Sequence, residues 1–329
     1  MGIKGYKAFG KELICNPDGI AKQYKEHTTF EEDGDVDLGP CRKGVMHFCE
    51  DPFDVLSAYP LVNSDGEITE FAEVEAVGDV RNYKDQSITN KLHIGAKLNL
   101  KGFVKACVDF TIEKTKFEID KDSDSDISSG YSAKIGSSGD YAKIGSSGDY
   151  AKICSSGYSA QIGSSGDYAK IGSSGYYAKI CSSGYSAQIG SSGYSAQIGS
   201  SGDYAKIGSS GYFAQIGSSG YYAQIGSSGY SAQICSSGDS AKIGSSGDYA
   251  KITSEGKKSV VMAAGFDSMA KAKIGSWITL AEWVRVNDDD KTIWKPKCVK
   301  TEYVDGEKIK EDTFYKLIDG EFKEVKTND

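Results

Sequence analysis

Residues 128–154 read SSGYSAKIG, SSGDYAKIG and SSGDYAKIC, and the same nine-residue unit continues without insertion to Thr253. The 14 units follow the pattern SSG-[DY]-[YSF]-A-[KQ]-I-[GC], with Thr253 in place of the final Gly or Cys. Ser, Ser and Gly fill positions 1 to 3 of every unit, Ala fills position 6 and Ile fills position 8. This repeat decides the fold, because each unit must bury its apolar side chains against its neighbours.

The unit has the alternation of a β-strand. Gly and paired Ser in every unit disfavour a helix. In a strand, Ala at position 6 and Ile at position 8 share one face, and positions 5 and 7 share the other. We therefore expect a turn at Gly-Ser-Ser-Gly, then a short strand that ends at Ile, with Ala and Ile inside. The glycines at positions 3 and 9 are expected to supply the backbone freedom of the corners.

The number of units in one coil has two solutions. Two units give a flattened β-solenoid with about 18 residues per coil, which suits a thin interior of Ala and Ile. Three units give about 27 residues per coil. The spacings of Cys154, Cys181 and Cys235 are multiples of three units. We favour two units per coil and keep three as the rival.

The whole chain is predicted to be mainly β, in four parts. Residues 1–117 form a small α+β head, and residues 118–127 form an acidic linker. Residues 128–253 form the solenoid. Residues 254–329 continue as a degenerate repeat and a cap of β-hairpins, which would cover the open edge of the last coil.

Local signals assign some elements outside the repeat. Asp51 can cap a short helix with Pro in its first turn. Residues 71–80 and 88–112 read as strands, the latter leading into the solenoid. Asp-Gly at 305–306 and at 319–320 predicts tight hairpins.

Charge and composition exclude some classes of function. The chain carries 38 Lys plus Arg and 46 Asp plus Glu, for a net charge of −8. The head holds most of the acidity, and a general nucleic-acid binder would need a positive field. We find neither a stretch apolar enough for a membrane span nor a secretory leader. We therefore expect no nucleic-acid or membrane partner and a cytoplasmic location.

Cysteine and histidine usage points away from a metal site. Eight cysteines occur without a CxxC pair, and only three histidines are present. This spacing matches no zinc motif and favours reduced thiols. All six units with Asp at position 4 have Lys at position 7, which we interpret as charge balance along the stack. No metal and no cofactor are expected from these residues.

The ends of the chain resemble an uncharacterised family of bacteriophage and prophage proteins. At the N-terminal end the resemblance lies in GYKAFGKELIC (5–15), VMHFCEDPFDVLSAY (45–59), FAEVEAVGDV (71–80) and TNKLHI (89–94). At the C-terminal end it lies in GSWITLAEW (275–283) and VDGEKIKEDTFYKLIDGEF (304–322). Members of that family often carry runs of SSGDYAKI units. The resemblance implies a phage setting, with the host cytoplasm as the location, and it implies no activity.

One segment of the head is also similar to ADP-ribosyltransferases. Residues 42–59, RKGVMHFCEDPFDVLSAY, look like their glycine–aromatic stretch. This similarity implies NAD as a cofactor. It makes His47, Phe48 and Tyr59 catalytic candidates, because His47 or Phe48 stands near the expected aromatic position and Tyr59 matches the later Tyr. The His or Arg of the first strand and the catalytic Glu of that family have no counterpart that we can place.

The outward side chains of the repeat are candidates for a binding surface, because Tyr is amphipathic and suits recognition. Rows of Tyr could equally stabilise the sheet by stacking on one another. The candidate residues are Tyr141, Lys143, Tyr150, Lys152, Tyr168, Lys170, Tyr177, Lys179, Tyr204, Lys206 and Phe213.

Two functions remain open from the sequence. The favoured one is a non-enzymatic repeat protein that presents its solenoid to a protein partner or to copies of itself. The alternative is an ADP-ribosyltransferase-like enzyme, or a head that binds an NAD metabolite, carried on a solenoid spacer.

Overall fold

The fold is a β-solenoid with a small α+β head, as the sequence predicts. The computed structural model describes residues 2–15, 21–38, 44–83, 85–117, 125–128, 130–288 and 291–326. Each strand of the repeat pairs in parallel with the strand two units further along, so Ile135 lies beside Ile153 and Ile153 beside Ile171. This register confirms a coil of two units, or ~18 residues, and excludes a coil of three units.

The head contains nine strands and two α-helices among its described residues. The strands are β1 (Ile3–Phe9), β2 (Ile14–Cys15), β3 (Lys22–Gln23), β4 (Thr28–Glu31), β5 (Met46–Phe48), β6 (Glu70–Ala76), β7 (Val80–Tyr83), β8 (Gln86–Thr89) and β9 (Lys91–Leu98). The helices are α1 (Pro52–Ala58) and α2 (Leu100–Phe117), and 3-10 turns occupy Lys11–Leu13 and Val36–Leu38.

Two antiparallel sheets organise the head. One has the order β1-β6-β9-β4 and the other has the order β5-β8-β7. Asp51 caps α1 as predicted, because its side chain accepts the Phe53 N–H at 2.8 Å. The aromatic rings of Phe71 and Phe103 stack at 3.7 Å and join the first sheet to α2.

The strand predicted across residues 88–112 is wrong in its second half. β9 ends at Leu98, and the chain continues as α2 from Leu100. The reason lies in the spacing of the apolar residues, since Leu100, Val104 and Cys107 recur every three to four residues and are all buried. That period builds one apolar helix face and overrides the weak alternation.

The solenoid strands have four residues each. They are β10 (Ser125–Ser128), β11 (Lys134–Ser137), β12 (Lys143–Ser146), β13 (Lys152–Ser155), β14 (Gln161–Ser164), β15 (Lys170–Ser173), β16 (Lys179–Ser182), β17 (Gln188–Ser191), β18 (Gln197–Ser200), β19 (Lys206–Ser209), β20 (Gln215–Ser218), β21 (Gln224–Ser227), β22 (Gln233–Ser236), β23 (Lys242–Ser245), β24 (Lys251–Ser254), β25 (Val260–Ala263) and β26 (Met269–Ala272). Successive strands fall alternately into two parallel sheets, one even-numbered and one odd-numbered.

The interior of the solenoid is the row of isoleucines and alanines that the sequence predicts. Every Ile at position 8 is at most 8 % exposed, and the alanines at position 6 from Ala142 to Ala250 are at most 1 % exposed. The isoleucines of the two sheets form one continuous hydrophobic cluster along the rod. Burial of each Ile contributes about 1.5–3 kcal/mol, so stability accumulates along the stack.

The limits of strand and turn within the unit differ from the prediction. Each strand begins at position 7, passes through Ile and ends at Ser of the next unit. The tight turn lies at positions 4 and 5, where Tyr204 and Tyr222 have left-handed φ values of 57° and 56°. Within the described part of the repeat, no glycine at position 3 or 9 has a positive φ. Glycine is required at position 3 for another reason, because a Cβ on Gly211 would lie 1.7 Å from the Gly193 carbonyl oxygen.

The C-terminal end of the solenoid is completed by antiparallel strands. β27 (Trp277–Asp288) and β28 (Lys291–Tyr303) complete the odd-numbered sheet, and β29 (Phe314–Ile318) and β30 (Glu321–Val325) complete the even-numbered one. Asp319-Gly320 forms the tight hairpin that the sequence predicts. Asp305-Gly306 does not. Asp305 Oδ1 instead accepts three consecutive backbone N–H groups of a loop between the two hairpins.

The predicted acidic linker is only partly within the described residues. Residues 118–124 lie outside them, and Ser125–Ser128 form β10, which pairs with β12. The first strand of the even-numbered sheet therefore precedes the first complete Ser-Ser-Gly unit.

Candidate binding surface

The outward faces of the two sheets follow the same repeat pattern but have different surroundings. We call the outward face of the even-numbered sheet the covered face, because the head packs on it. We call the outward face of the odd-numbered strands β11 to β25 the open face. On both faces, the Lys or Gln of position 7 forms one row, and the Gly or Cys of position 9 forms a second row beside it.

On the covered face, α2 lies along the row of small residues. A Cβ built on Gly163 would lie 3.0 Å from Thr111 Cβ, and one on Gly199 would lie 2.9 Å from Val104 Cγ2. The residues of this row therefore have to be small for the helix to pack against the sheet. Cys181 replaces Gly in this row and lies, buried, in one apolar cluster with α1 and α2.

The row of Lys and Gln on the covered face is bonded to the head along its length. Lys143 Nζ donates to Asp51 Oδ2 at 2.9 Å, and Lys179 Nζ donates to the Phe53 carbonyl at 2.8 Å and to Ser57 Oγ at 2.7 Å. Further contacts run from Gln161 to Asp54, from Gln197 to the Leu56 carbonyl, from Gln215 to the Val62 N–H and from Lys251 to the Ser64 carbonyl. Lys271, which pairs with Thr253 in the row of small residues, also contacts Glu67 of the head.

On the open face, the corresponding rows have no such partners. The Lys and Gln row consists of Lys134, Lys152, Lys170, Gln188, Lys206, Gln224 and Lys242. Among the residues that the structure describes, the side chains of this row form no hydrogen bond and no ion pair. A Cβ built on Gly190, Gly208 or Gly226 would have no atom within 4 Å. The open face is therefore a shallow trough, and the row of Lys and Gln side chains without hydrogen bonds or ion pairs lies beside it.

The aspartates of the repeat do not neutralise these lysines by ion pairing. Asp167 Oδ1 accepts the backbone N–H of Tyr185 at 2.8 Å, and Asp203 Oδ1 accepts that of Tyr221 at 2.8 Å. Each of these carboxylates therefore fastens its coil to the next at the turn. The carboxylates thus have a structural role at the turns, and charge balance along the stack stays a prediction.

Aromatic ladders run along both edges of the rod. On one edge Tyr158, Tyr176 and Tyr194 stack at 5.5 Å and 4.7 Å between ring centroids. On the other edge Tyr150 and Tyr168 stack at 5.1 Å. In most units with Asp at position 4, Tyr stands at position 5. A unit can therefore contribute its aromatic ring to the ladder from position 4 or from position 5. This stacking supports a stabilising role for the tyrosine rows, and their role in binding stays a prediction.

The structure distributes the predicted binding residues over four places. Lys143 and Lys179 lie on the covered face, bonded to the head. Tyr141 and Tyr177 line a cavity of 400 Å³ where the head meets the solenoid. Lys152, Lys170 and Lys206 lie on the open face, whereas Tyr150, Tyr168, Tyr204 and Phe213 belong to the edges.

Sequence reasoning missed the glycine row of the open face and the Lys134, Gln188, Gln224 and Lys242 side chains beside it. The parity of the unit number is the signal that could have found them. With two units per coil, odd-numbered and even-numbered units face in opposite directions.

The catalytic candidates of the head differ in their burial and surroundings. Phe48 is 1 % exposed in the core, and the carbonyl oxygen of His47 accepts a hydrogen bond from Lys7 Nζ at 2.8 Å. Tyr59 ends α1 and is 37 % exposed, and burial of its ring raises its pKa to about 12. A cleft of 680 Å³ in the head takes its lining from other residues, including Glu73 and His93. The NAD site therefore stays a prediction.

Other kinds of site find no support in the described parts of the chain. They contain no group of three or more His, Cys, Asp or Glu side chains placed to hold a metal ion. Within the same residues, no helix is both long enough and apolar enough to span a membrane.

Asp54, at the junction of head and solenoid, makes stability depend on pH. Burial raises the pKa of Asp54 to about 6, and the neighbouring Asp51 carboxylate adds to the shift. A carboxyl with a higher pKa in the folded state binds a proton on folding, so its contribution to stability falls as the pH rises from about 4 to about 6. We predict that Asp54→Asn removes this decline and stabilises the protein at neutral pH.

Urea unfolding at about pH 4 and about pH 7 measures this effect. Glu307→Gln, at an exposed position of the C-terminal loop, is the control and should keep the decline of the native protein. The assignment to Asp54 fails if Asp54→Asn changes the free energy of unfolding equally at both pH values.

Comparison with known proteins bears on the head alone. A family model described as a domain of unknown function (DUF7666) matches residues 3–106. The head is an uncharacterised domain. The match runs from β1 into α2, so it includes α1 and the first part of α2. Searches of curated proteins and of solved structures gave no match.

Proposed function

We propose that this protein is a non-enzymatic repeat scaffold whose open face binds a protein partner. The observation that carries the proposal is the contrast between the two faces. The covered face uses its glycine row and its Lys and Gln row to hold the head. The open face repeats both rows, and its polar side chains lie free.

The shape and chemistry of the open face support an interaction surface. Its trough has exposed Lys152 and Lys206 along one side and exposed glycines along its floor. Regular main-chain spacing makes the surface rigid, which lowers the entropic cost of binding. The resemblance of the ends of the chain to phage and prophage proteins supports a host-cytoplasm setting.

A variant of the open face tests the proposal. We expect the triple variant Gly190→Leu, Gly208→Leu and Gly226→Leu to fold normally, because each new side chain enters open space. It should lose at least tenfold in affinity for a partner that the native protein captures from a lysate of its source cells. The partner is identified, purified and measured again by calorimetry against both proteins.

The control variant changes the edge of the rod. Tyr221 lies in a turn, so the Tyr221→Ser variant should bind the partner with the affinity of the native protein. Equal affinity of the native protein and the triple variant for every captured protein would exclude the open face as the binding surface.

A further inference from the structure

We infer that the partner segment on the open face is an amphipathic α-helix with one acidic edge, lying along the glycine row. This inference rests on the proposed function and adds the chemistry of the partner. It begins with a precedent inside the molecule, because α2 occupies the corresponding row of the covered face.

The precedent depends on matched repeats of helix and solenoid. Leu100 contacts the row at Gly217, Val104 contacts it at Gly199, and Thr111 contacts it at Gly163. One turn of helix advances about 5.4 Å, and one coil advances about 4.8 Å. Residues 100, 104, 107 and 111 therefore meet four successive coils, with Cys107 at Cys181. A helix stripe at i, i+4, i+7 and i+11 fits the solenoid closely.

The glycine row of the open face leaves space for a helix as the row of the covered face does, and both of its ends are bounded by side chains. Five consecutive glycines run from Gly172 to Gly244. The Sγ atom of Cys154 bounds one end, and the Cε atom of Met262 lies 3.6 Å from a Cβ built at the other. The row spans about 19 Å, which corresponds to about 13 residues of α-helix. Apolar side chains of the stripe can enter the space above the glycines.

The positive charge of the lysine row favours a helix with acidic residues along the edge that faces it. Lys152, Lys170, Lys206 and Lys242 stand in one line beside these glycines. On the covered face, the equivalent Lys143 pairs with Asp51 of the head. Carboxylates on one edge of the occupant would meet the open row in the same way. A second copy of the chain fits the open face less well. Two open faces in contact would bring their lysine rows together, and the α2 helix of the second copy is already packed on its own solenoid.

Synthetic helices test the chemistry on the full-length protein. The probe is a fluorescent 15-residue peptide, stapled on its outer side, with Val or Ala at i, i+4, i+7 and i+11 and Glu along one edge. The matched peptide carries Lys in place of Glu. We expect the Glu peptide to bind at micromolar concentration by anisotropy, at least tenfold more tightly than the Lys peptide.

Two variants locate the binding. The triple Gly→Leu variant and Lys170→Glu with Lys206→Glu should each weaken the Glu peptide at least tenfold. The second variant adds no bulk, so it keeps the test valid if the first folds poorly. Absence of binding at about 100 μM, equal affinity for both peptides, or binding that neither variant weakens overturns the inference.

Crosslinking separates failure of this inference from failure of the proposed function. A benzophenone attached to the exposed Cys154 marks the segment of a captured partner that lies at the end of the row. A crosslinked acidic helix supports the inference. A crosslinked strand or loop, or a dimer of the chain that the open-face variants abolish in sedimentation, overturns the helix. If the captured partner binds the open-face variants as tightly as the native protein, the proposed function itself is overturned.

Discussion

Gly211→Ala is expected to lower the free energy of unfolding by about 3 kcal/mol, which is the upper part of the range for inserting a methyl group into a packed interior. The new Cβ would lie 1.7 Å from the Gly193 carbonyl oxygen and 2.7 Å from its carbonyl carbon. Both atoms are backbone, so no flexible side chain can give way. The two coils must separate, and the strain passes to the neighbouring coils because each coil is stabilised only by contact with the next.

Gly208→Ala is the matched control, three residues earlier in the chain. Its Cβ points to the open face and meets no atom within 4 Å. Alanine there restricts the unfolded chain, so the free energy of unfolding should stay the same or rise by up to about 1 kcal/mol. Urea denaturation of the two variants measures the difference. Equal stabilities would show that position 3 does not require glycine for close approach of the coils.

Gly199→Leu is expected to loosen the head and to destabilise the protein by about 2–3 kcal/mol. A Cβ at this position would lie 2.9 Å from Val104 Cγ2 and 3.8 Å from Leu61 Cδ2, both in the apolar contact between head and solenoid. A whole Leu side chain cannot enter without moving α2. Amide hydrogen exchange in α2 should accelerate, because lifting the helix breaks its packing.

Gly190→Leu places the same side chain in the same position of a neighbouring unit, but on the open face. No atom lies within 4 Å of its Cβ, so we expect native stability and unchanged exchange in α2. The pair therefore isolates the effect of the head from that of the repeat. If Gly190→Leu destabilised the protein as much as Gly199→Leu, the difference between the faces would have to be abandoned.

Several features of the candidate surface could be predicted from single residues, and others could not. The outward direction of Lys152 and Lys206 follows from strand alternation, and so does the inward direction of every Ile. The assignment of Lys143 and Lys179 to the same surface failed to anticipate the head that covers them. Periodicity reports which face of a strand a residue occupies, but it does not report what packs on that face.

The helix α2 shows the same limit in the head. Residues 100–111 combine weak alternation with a spacing of three to four residues, and both patterns place Val104 on an apolar side. The helix prevails because its stripe fits the glycine row of the even-numbered sheet, which lies far from α2 along the chain. Local sequence does not contain that contact, so the prediction of a strand was wrong.

The sequence by itself determined the repeat, the strand alternation and the Ala and Ile interior, and it favoured a coil of two units over one of three. These depend on contacts between residues two units apart, and identical units repeat such contacts at every coil. Only the tertiary structure decided which face is covered, why position 3 must be glycine and which lysines are free. The glycine of position 3 recurs in every unit, but its sequence does not show the carbonyl oxygen that lies beside it. The head differs in sequence from the repeat, so its contacts with the solenoid leave no period in the chain.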